Sequence, residues 1–228
     1  MKYIHLYFRN LGEQLLRRQG ILKWSTFNIW HSTFNIQHST FLVNTLFAII
    51  CAVWLISEIV LNRVFRSGEN DKKNADKNSL DHIWLTIILA ACLSVIIFTY
   101  SIVPIFSNSK YRVIGLLLII LGMAIRLIAV FTLGKMFTVD VTIRKDHKVK
   151  KDGIYRWLRH PSYAGSLLSF VGFGLYLNNW LSLFVITIPM FIVFVMRIKI
   201  EENLLESQFG SEYTEYKKGT YRLIPFIY

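Results

Sequence analysis

Residues 135–165 read KMFTVDVTIRKDHKVKKDGIYRWLRHPSYAG. This basic, polar stretch is wedged between two long apolar runs, Ile114–Leu133 and Ser162–Leu177, and that position decides the fold. The flanking runs read as membrane-spanning helices and the basic stretch as an interfacial loop between them. A turn at a membrane surface needs a few Lys and a Gly. It does not need Arg159, His160, Pro161, Tyr163 and Gly165 crowded at the mouth of the next helix. There Pro161 suits a first helical turn, His160 donates or accepts near neutral pH, and open backbone N–H groups collect anions. The crowding marks a candidate functional site.

Composition agrees with a membrane chain of one domain. Of 228 residues, 54% are hydrophobic and 15% aromatic, and the mean hydropathy of +0.42 lies outside the range of ordinary soluble proteins. The net charge of +12 would suggest nucleic acid in a soluble protein. Here the basic residues flank apolar runs and no nucleic-acid motif accompanies them, so the expected partner is the anionic face of a bilayer. Cys51 and Cys92 both sit inside apolar runs, which argues against a disulfide framework or a metal site. Met1–Gly20 lacks an uninterrupted apolar core, so no cleavable signal peptide is expected.

Five spans are expected: Phe41–Leu61, Ile83–Val103, Ile114–Leu133, Ser162–Leu177 and Leu181–Met196. The fifth continues into water through Arg197, Glu201 and Glu202. The expected fold is thus an all-α integral membrane protein with about five transmembrane helices. Its domains are an N-terminal interfacial segment, 1–40, and a single transmembrane domain, 41–228. The first carries a tandem repeat, Ser25–His31 and Ser32–His38, whose seven-residue period keeps Phe27, Phe34 and Phe41 near one helical face. His31 and His38 belong to this duplication rather than to a metal site. In the fourth span, Gly165, Ser169, Gly172 and Gly174 form a small-residue face for close helix packing. The basic loops Arg63–Lys77, Lys135–Arg159 and Lys199–Arg222 share one side, which the positive-inside rule makes cytoplasmic. In a bacterium that membrane would be the plasma or inner membrane.

Charged residues within the spans are candidates in their own right. Arg126 lies in the third span, where it serves a site or snorkels to the interface. Glu58, near the end of the first span, is read as reaching an interface. Arg197 and Glu201 stand four apart on one helical face and can pair. Arginine on the N-terminal side is the poorer order for a stabilising pair, so a forked guanidinium that orients an acceptor carboxylate explains the choice better.

Two blocks carry a family resemblance. His147, Val149, Gly153-Ile154-Tyr155, Arg159-His160-Pro161, Tyr163 and Gly165 form one; Arg197, Glu201-Glu202, Leu205, Phe209-Gly210, Glu212-Tyr213, Tyr216-Lys217 and Pro225 form the other. Together, over about Arg126–Tyr228, they resemble the isoprenylcysteine carboxyl methyltransferases, whose first block is similar in phospholipid methyltransferases and membrane sterol reductases. The resemblance implies an integral-membrane methyltransferase that uses S-adenosyl-L-methionine, with a cytosolic cofactor pocket made by the loop before helix 4 and the C-terminal helix. It places His147, Lys148, Val149, Lys150, Tyr155, His160, Pro161, Ser162, Tyr163 and Glu201 at the cofactor, and Thr142 near the same edge. Arg197 would hold the acceptor, and Arg197 with Glu201 would carry the chemistry. The implied partners are a lipophilic or prenylated acid entering from the bilayer, and membrane lipids, with no nucleic acid and no metal. Two departures fall where lipid or substrate is expected to pack: Ser169 stands for a usual tryptophan, and Asn179-Trp180 for a usual Asn-Pro. Three alternatives stand beside this reading: N-methylation of an aminolipid, NADPH-dependent reduction of a membrane lipid, and a non-catalytic relative. Arg197 disfavours the first, because a fixed cation repels an ammonium.

Overall fold

The structure, a computed structural model, describes residues 41–66, 79–101, 103–142 and 148–224. The chain divides into two compact units, Met1–Ile49 and Ile50–Tyr228. Of the first unit only the helical run 41–49 is described, so the interfacial segment, the tandem repeat and His147 lie outside the described residues.

Six helices are described: α1 Phe41–Val64, α2 Ser79–Tyr100, α3 Arg112–Leu133, α4 Pro161–Leu177, α5 Trp180–Phe209 and α6 Ser211–Lys218. No strand occurs among the described residues, only an isolated bridge between Leu158 and Tyr221. Four helices are long and apolar enough to cross a membrane: Phe41–Val64, Leu80–Tyr100, Arg112–Met136 and Trp180–Phe209. This is a helical integral membrane protein. The fourth expected span, α4, has 17 residues, about 26 Å of helix against a hydrocarbon core of about 30 Å. It is the most enclosed helix, with eleven of its residues buried, among them Gly165, Ser169 and Gly172 against α3, while Gly174 packs on Leu183 of α5. Helix α2 begins at Ser79, inside the stretch expected to be a loop, with Asp81 in its first turn where an acidic group suits the helix dipole. It ends at Tyr100, four residues before Pro104.

Close packing of α3 on α4 rests on paired glycines. A Cβ on Gly165 would lie 2.6 Å from Gly122 O and 2.7 Å from Arg126 N. A Cβ on Gly172 would lie 2.7 Å from both Gly115 O and Ile119 N. These neighbours are backbone atoms that cannot swing aside, so the two helices meet as closely as small-residue faces allow. A core of Ala90, Leu167, Phe170, Ile186, Met190, Phe194, Ile198 and Leu223 joins α2, α4, α5 and the C-terminal strand-like segment. Ser94 and Ser182 donate reciprocally to each other's carbonyls, at 3.1 and 2.8 Å, and so lock α2 to α5.

The turn between α4 and α5 explains one departure from the family pattern. Asn178 takes a left-handed conformation (φ 52°), and Asn179 caps α5 by accepting from Ser182 N at 3.1 Å. Trp180 then donates its backbone N–H to Val103 O at 3.1 Å, a bond that proline cannot make. Ser169 likewise sits in a helix contact. It is fully buried and donates to Ile119 O and Gly165 O, both at 3.2 Å. Neither position lines the cavity described below: Ser169 packs between helices, whereas the Trp180 ring, 43% exposed, lies on the outer surface.

Candidate functional site

Helix α5 sets out the site. Its 30 residues span about 45 Å, well beyond the hydrocarbon thickness, so its C-terminal third stands clear of the apolar bundle. Against that third lie the mouth of α4 and the loop from Lys135. Together with the cavity-facing sides of α1 and α2, they enclose a cavity of ≈ 1400 Å³ counted to its open mouth.

One wall is polar. Tyr163 Oη accepts from Arg197 Nε at 2.8 Å and donates to Glu201 Oε2 at 3.0 Å. Arg197 also donates through Nη2 to Val139 O, which ties α5 to the loop. The expected Arg197–Glu201 pair is thus bridged by a phenol rather than closed directly. Lys148, Val149, Lys150, Tyr155, His160 and Ser162 line the same cavity, as does Thr142. Among the described residues the buried Thr142 hydroxyl has no hydrogen-bond partner, which leaves it a donor and acceptor for a ligand. Pro161 does not line the cavity. It is fully buried at the first position of α4, where it fixes the helix start.

Behind this wall lies a carboxylate to which sequence reasoning gave no role. Glu202, 2% exposed, accepts from Arg159 Nε at 3.0 Å, His160 Nε2 at 3.2 Å and Arg222 Nη2 at 2.7 Å. Arg159 reaches on through Nη1 to Lys217 O at 3.0 Å and to Thr220 O. The backbones of Arg159 and His160 donate to Tyr221 O and Arg222 O at 2.8 and 3.1 Å. The Arg-His segment is therefore clamped between α5 and the C-terminal segment.

Tyrosines close the rim outside the spans. Burial, then the charge of Glu201, pushes the Tyr155 phenol well above its ordinary range, and burial raises Tyr216 to about 12. Both stay neutral donors: Tyr155 to Ala129 O at 3.2 Å and Tyr216 to Tyr155 O at 2.6 Å.

The opposite wall is apolar apart from one ion pair. Trp54, Ile83, Trp84, Ile87, Phe170 and Phe194 line it. Glu58 grips Arg126 with both oxygens, Oε1 to Nε at 2.5 Å and Oε2 to Nη2 at 2.6 Å. Arg126 Nη1 then donates to Ser162 Oγ at 2.9 Å. Arg126 thus faces the cavity and does not snorkel, and Glu58 is its partner rather than an interface anchor. The signal for Glu58 was present: it lies one turn after Trp54 on one face of an apolar helix, where a carboxylate is a site candidate by default.

A family model described as phospholipid methyltransferase matches residues 111–212. The protein-S-isoprenylcysteine O-methyltransferase of Saccharomyces cerevisiae is 41% identical over 133 residues, 58% of this chain and 54% of that protein. Its counterpart B in Arabidopsis thaliana is 37% identical over 115 residues, covering 50% and 58%. The solved structure of a eukaryotic intramembrane Ras methyltransferase, an isoprenylcysteine carboxyl methyltransferase, superposes with a TM-score of 0.50 at 29% identity, covering 68% of this chain and 55% of that one. The chain resembles the isoprenylcysteine methyltransferases. It spans about half of the length of these curated relatives. The matched residues 111–212 hold Arg126, Thr142, Tyr155, His160, Tyr163, Arg197 and Glu201 of the cavity lining and Glu202 behind it, whereas the rim residues Tyr213 and Tyr216 lie beyond the match. Trp54, Glu58, Ile83, Trp84 and Ile87 also lie outside it, and they make up most of the other wall, to which Phe170 and Phe194 contribute from within the match.

Proposed function

We propose that this chain is an integral-membrane carboxyl methyltransferase that uses S-adenosyl-L-methionine to esterify a prenylcysteine-like or other lipophilic acid. One observation carries the reading. One cavity has a polar wall with an Arg197–Tyr163–Glu201 hydrogen-bonded chain, and an apolar wall supplied by α1, α2, α4 and α5. The polar wall fits the methyl donor: a half-exposed carboxylate at Glu201 for its ammonium, the open Thr142 hydroxyl, and the faces of Tyr155, Tyr213 and Tyr216 for an adenine ring. His160, Lys148, Val149, Lys150, Ser162 and Tyr163 complete that surface, and His147 belongs to the same edge by resemblance.

When bound, the donor supplies an electrophilic methyl group on a sulfonium. The acceptor is already a carboxylate at neutral pH, so no proton has to move and no metal is required. What the protein contributes is alignment and exclusion of water. Arg197 is suited to hold the acceptor carboxylate, because Tyr163 at Nε and Val139 at Nη2 fix its plane. The acceptor's hydrocarbon part lies against Trp54, Ile87 and Phe170, reached from the bilayer. The positive-inside rule, applied to the basic loops, supports a cavity on the cytosolic side, where the donor is made.

A second reading, N-methylation of an aminolipid, draws on the phospholipid methyltransferase match and on the Glu58 carboxylate in the cavity. Glu58 is already neutralised by Arg126, and two guanidinium groups in one cavity disfavour an ammonium acceptor. The deciding experiment offers the detergent-solubilised protein labelled S-adenosylmethionine with N-acetyl-S-farnesylcysteine or with phosphatidylethanolamine. Label in a base-labile ester supports the proposal. Label on the amine, or saturable binding of NADPH in place of the donor, refutes it.

A further inference from the structure

The buried cluster behind the polar wall does more than tie the chain together. Glu202 is acceptor-only, because two guanidinium groups already hold its oxygens, Arg159 on Oε1 and Arg222 on Oε2. For His160 Nε2 to lie 3.2 Å from Oε1, that nitrogen must bring the proton. With the ring in its neutral form, that single N–H is spent on Glu202 and Nδ1 keeps its lone pair. Nδ1 lies 3.9 Å from Glu201 Oε1, too far for a hydrogen bond between them. His160 and Glu201 line the cavity whereas Glu202 does not. Two acceptors therefore face one gap, and a group with several N–H bonds at about 2.7–3.2 Å from each closes it.

We propose that Glu202 is a positioning residue that fixes the tautomer of His160, so that Nδ1 and Glu201 Oε1 together form a seat for a primary ammonium group. On the function proposed above, that group is the amino-acid end of the methyl donor. Arg159 and Arg222 act at one further remove, holding the Glu202 carboxylate ionised and in register. The arrangement follows the rule that a carboxylate on one ring nitrogen decides what the other nitrogen offers.

The test uses the full-length protein in detergent, labelled with 15N-histidine and assigned by comparison with His160→Gln. The 15N imidazole shifts of the wild type should report a protonated Nε2 and a bare Nδ1. A proton on Nδ1 would overturn the proposal without any variant having to fold. The second arm compares S-adenosylhomocysteine with 5′-methylthioadenosine, which keeps the adenosine and thioether but lacks the amino-acid end. In Glu202→Gln, the amide N–H can face the ring and invert the tautomer. S-adenosylhomocysteine should then bind about ten- to a hundred-fold more weakly, the loss of a charged hydrogen bond, while methylthioadenosine binds as before. Equal weakening of both ligands assigns Glu202 a purely structural role and overturns the inference. A wild type that binds neither ligand sinks the methyl-donor reading and the ammonium seat with it, while the tautomer is still read from the nitrogen shifts.

Discussion

Removing a single oxygen atom tests the polar wall. Tyr163→Phe keeps the ring in its contacts with Phe194 and His160, at 5.4 and 5.9 Å between centroids, so packing is conserved. It deletes the acceptor for Arg197 Nε and the donor to Glu201 Oε2 together. Hydrogen bonds to charged groups each contribute about 1.5–3 kcal/mol, which sets an upper bound of about 3–6 kcal/mol for the two. Arg197 and Glu201 stand one turn apart on α5 and can close on each other once the phenol is gone, which recovers part of this. The expected net loss is about 1–3 kcal/mol, roughly five- to 150-fold. It should divide between weaker S-adenosylhomocysteine binding, through Glu201, and slower transfer, through a loosened Arg197. Calorimetric titration and single-turnover transfer to a farnesylated thio-acid measure the two separately. A variant with wild-type affinity and wild-type turnover would refute the bridge as a functional element, and so would an equal drop in thermal stability that accounts for both.

Arg197→Ala should bind S-adenosylhomocysteine nearly normally and lose transfer, whereas Glu201→Gln should lose affinity first; Arg197→Lys should rescue little, since a point charge does not reproduce the fork. Glu58→Ala leaves Arg126 without its two-pronged partner inside the cavity wall and should destabilise the protein by about 3–5 kcal/mol, read as thermal unfolding in detergent. Gly165→Ala drives a Cβ against the Gly122 carbonyl and the Arg126 backbone and should cost about 1–3 kcal/mol, with activity falling because Arg126 moves. A cysteine placed at Lys150 or at Ser211 should react with impermeant thiol reagents only from the cytosolic side; labelling from outside contradicts the orientation.

The polar wall was legible because its residues are contiguous or one helical turn apart. Lys148 to Tyr163 forms one stretch, and the spacing of Arg197 and Glu201 on a helix was enough to bring them to one face. The neighbouring Glu202 shows where such reading stops. Successive helical residues differ by about 100° in direction, so Glu201 faces the cavity while Glu202 faces the clamp. Which does which depends on the rotation of α5 against α4, and that is set by packing around Phe170, Phe194 and Ile198. The partners of Glu58 and Trp54 were out of reach for another reason. Arg126 and Phe170 lie 68 and 116 residues away from them, and only the assembly of helices brings each pair together. Ser169 read as a departure at a lipid-facing surface because the pattern names side chains, whereas its effect comes through a close helix contact. At Trp180 the ring does lie on the outer surface, and the backbone N–H makes a bond besides.

The two walls also differ in what a family pattern can say about them. On the function proposed above, the polar wall answers to a ligand of fixed chemistry, a donor with an ammonium, a sulfonium and a purine, and a fixed ligand demands fixed residues at fixed spacing. All of it but Tyr213 and Tyr216 lies within residues 111–212. The apolar wall answers to hydrocarbon, which is recognised by volume and shape, and many combinations of Trp, Ile and Phe supply the same volume. Helices α1 and α2 contribute most of that wall and lie outside the matched region. Similarity over half of the chain therefore bears strongly on the donor and weakly on the acceptor. On the proposed function, acceptor choice falls to Trp54, Ile83, Trp84 and Ile87, and to how Glu58 and Arg126 share their charge across the cavity.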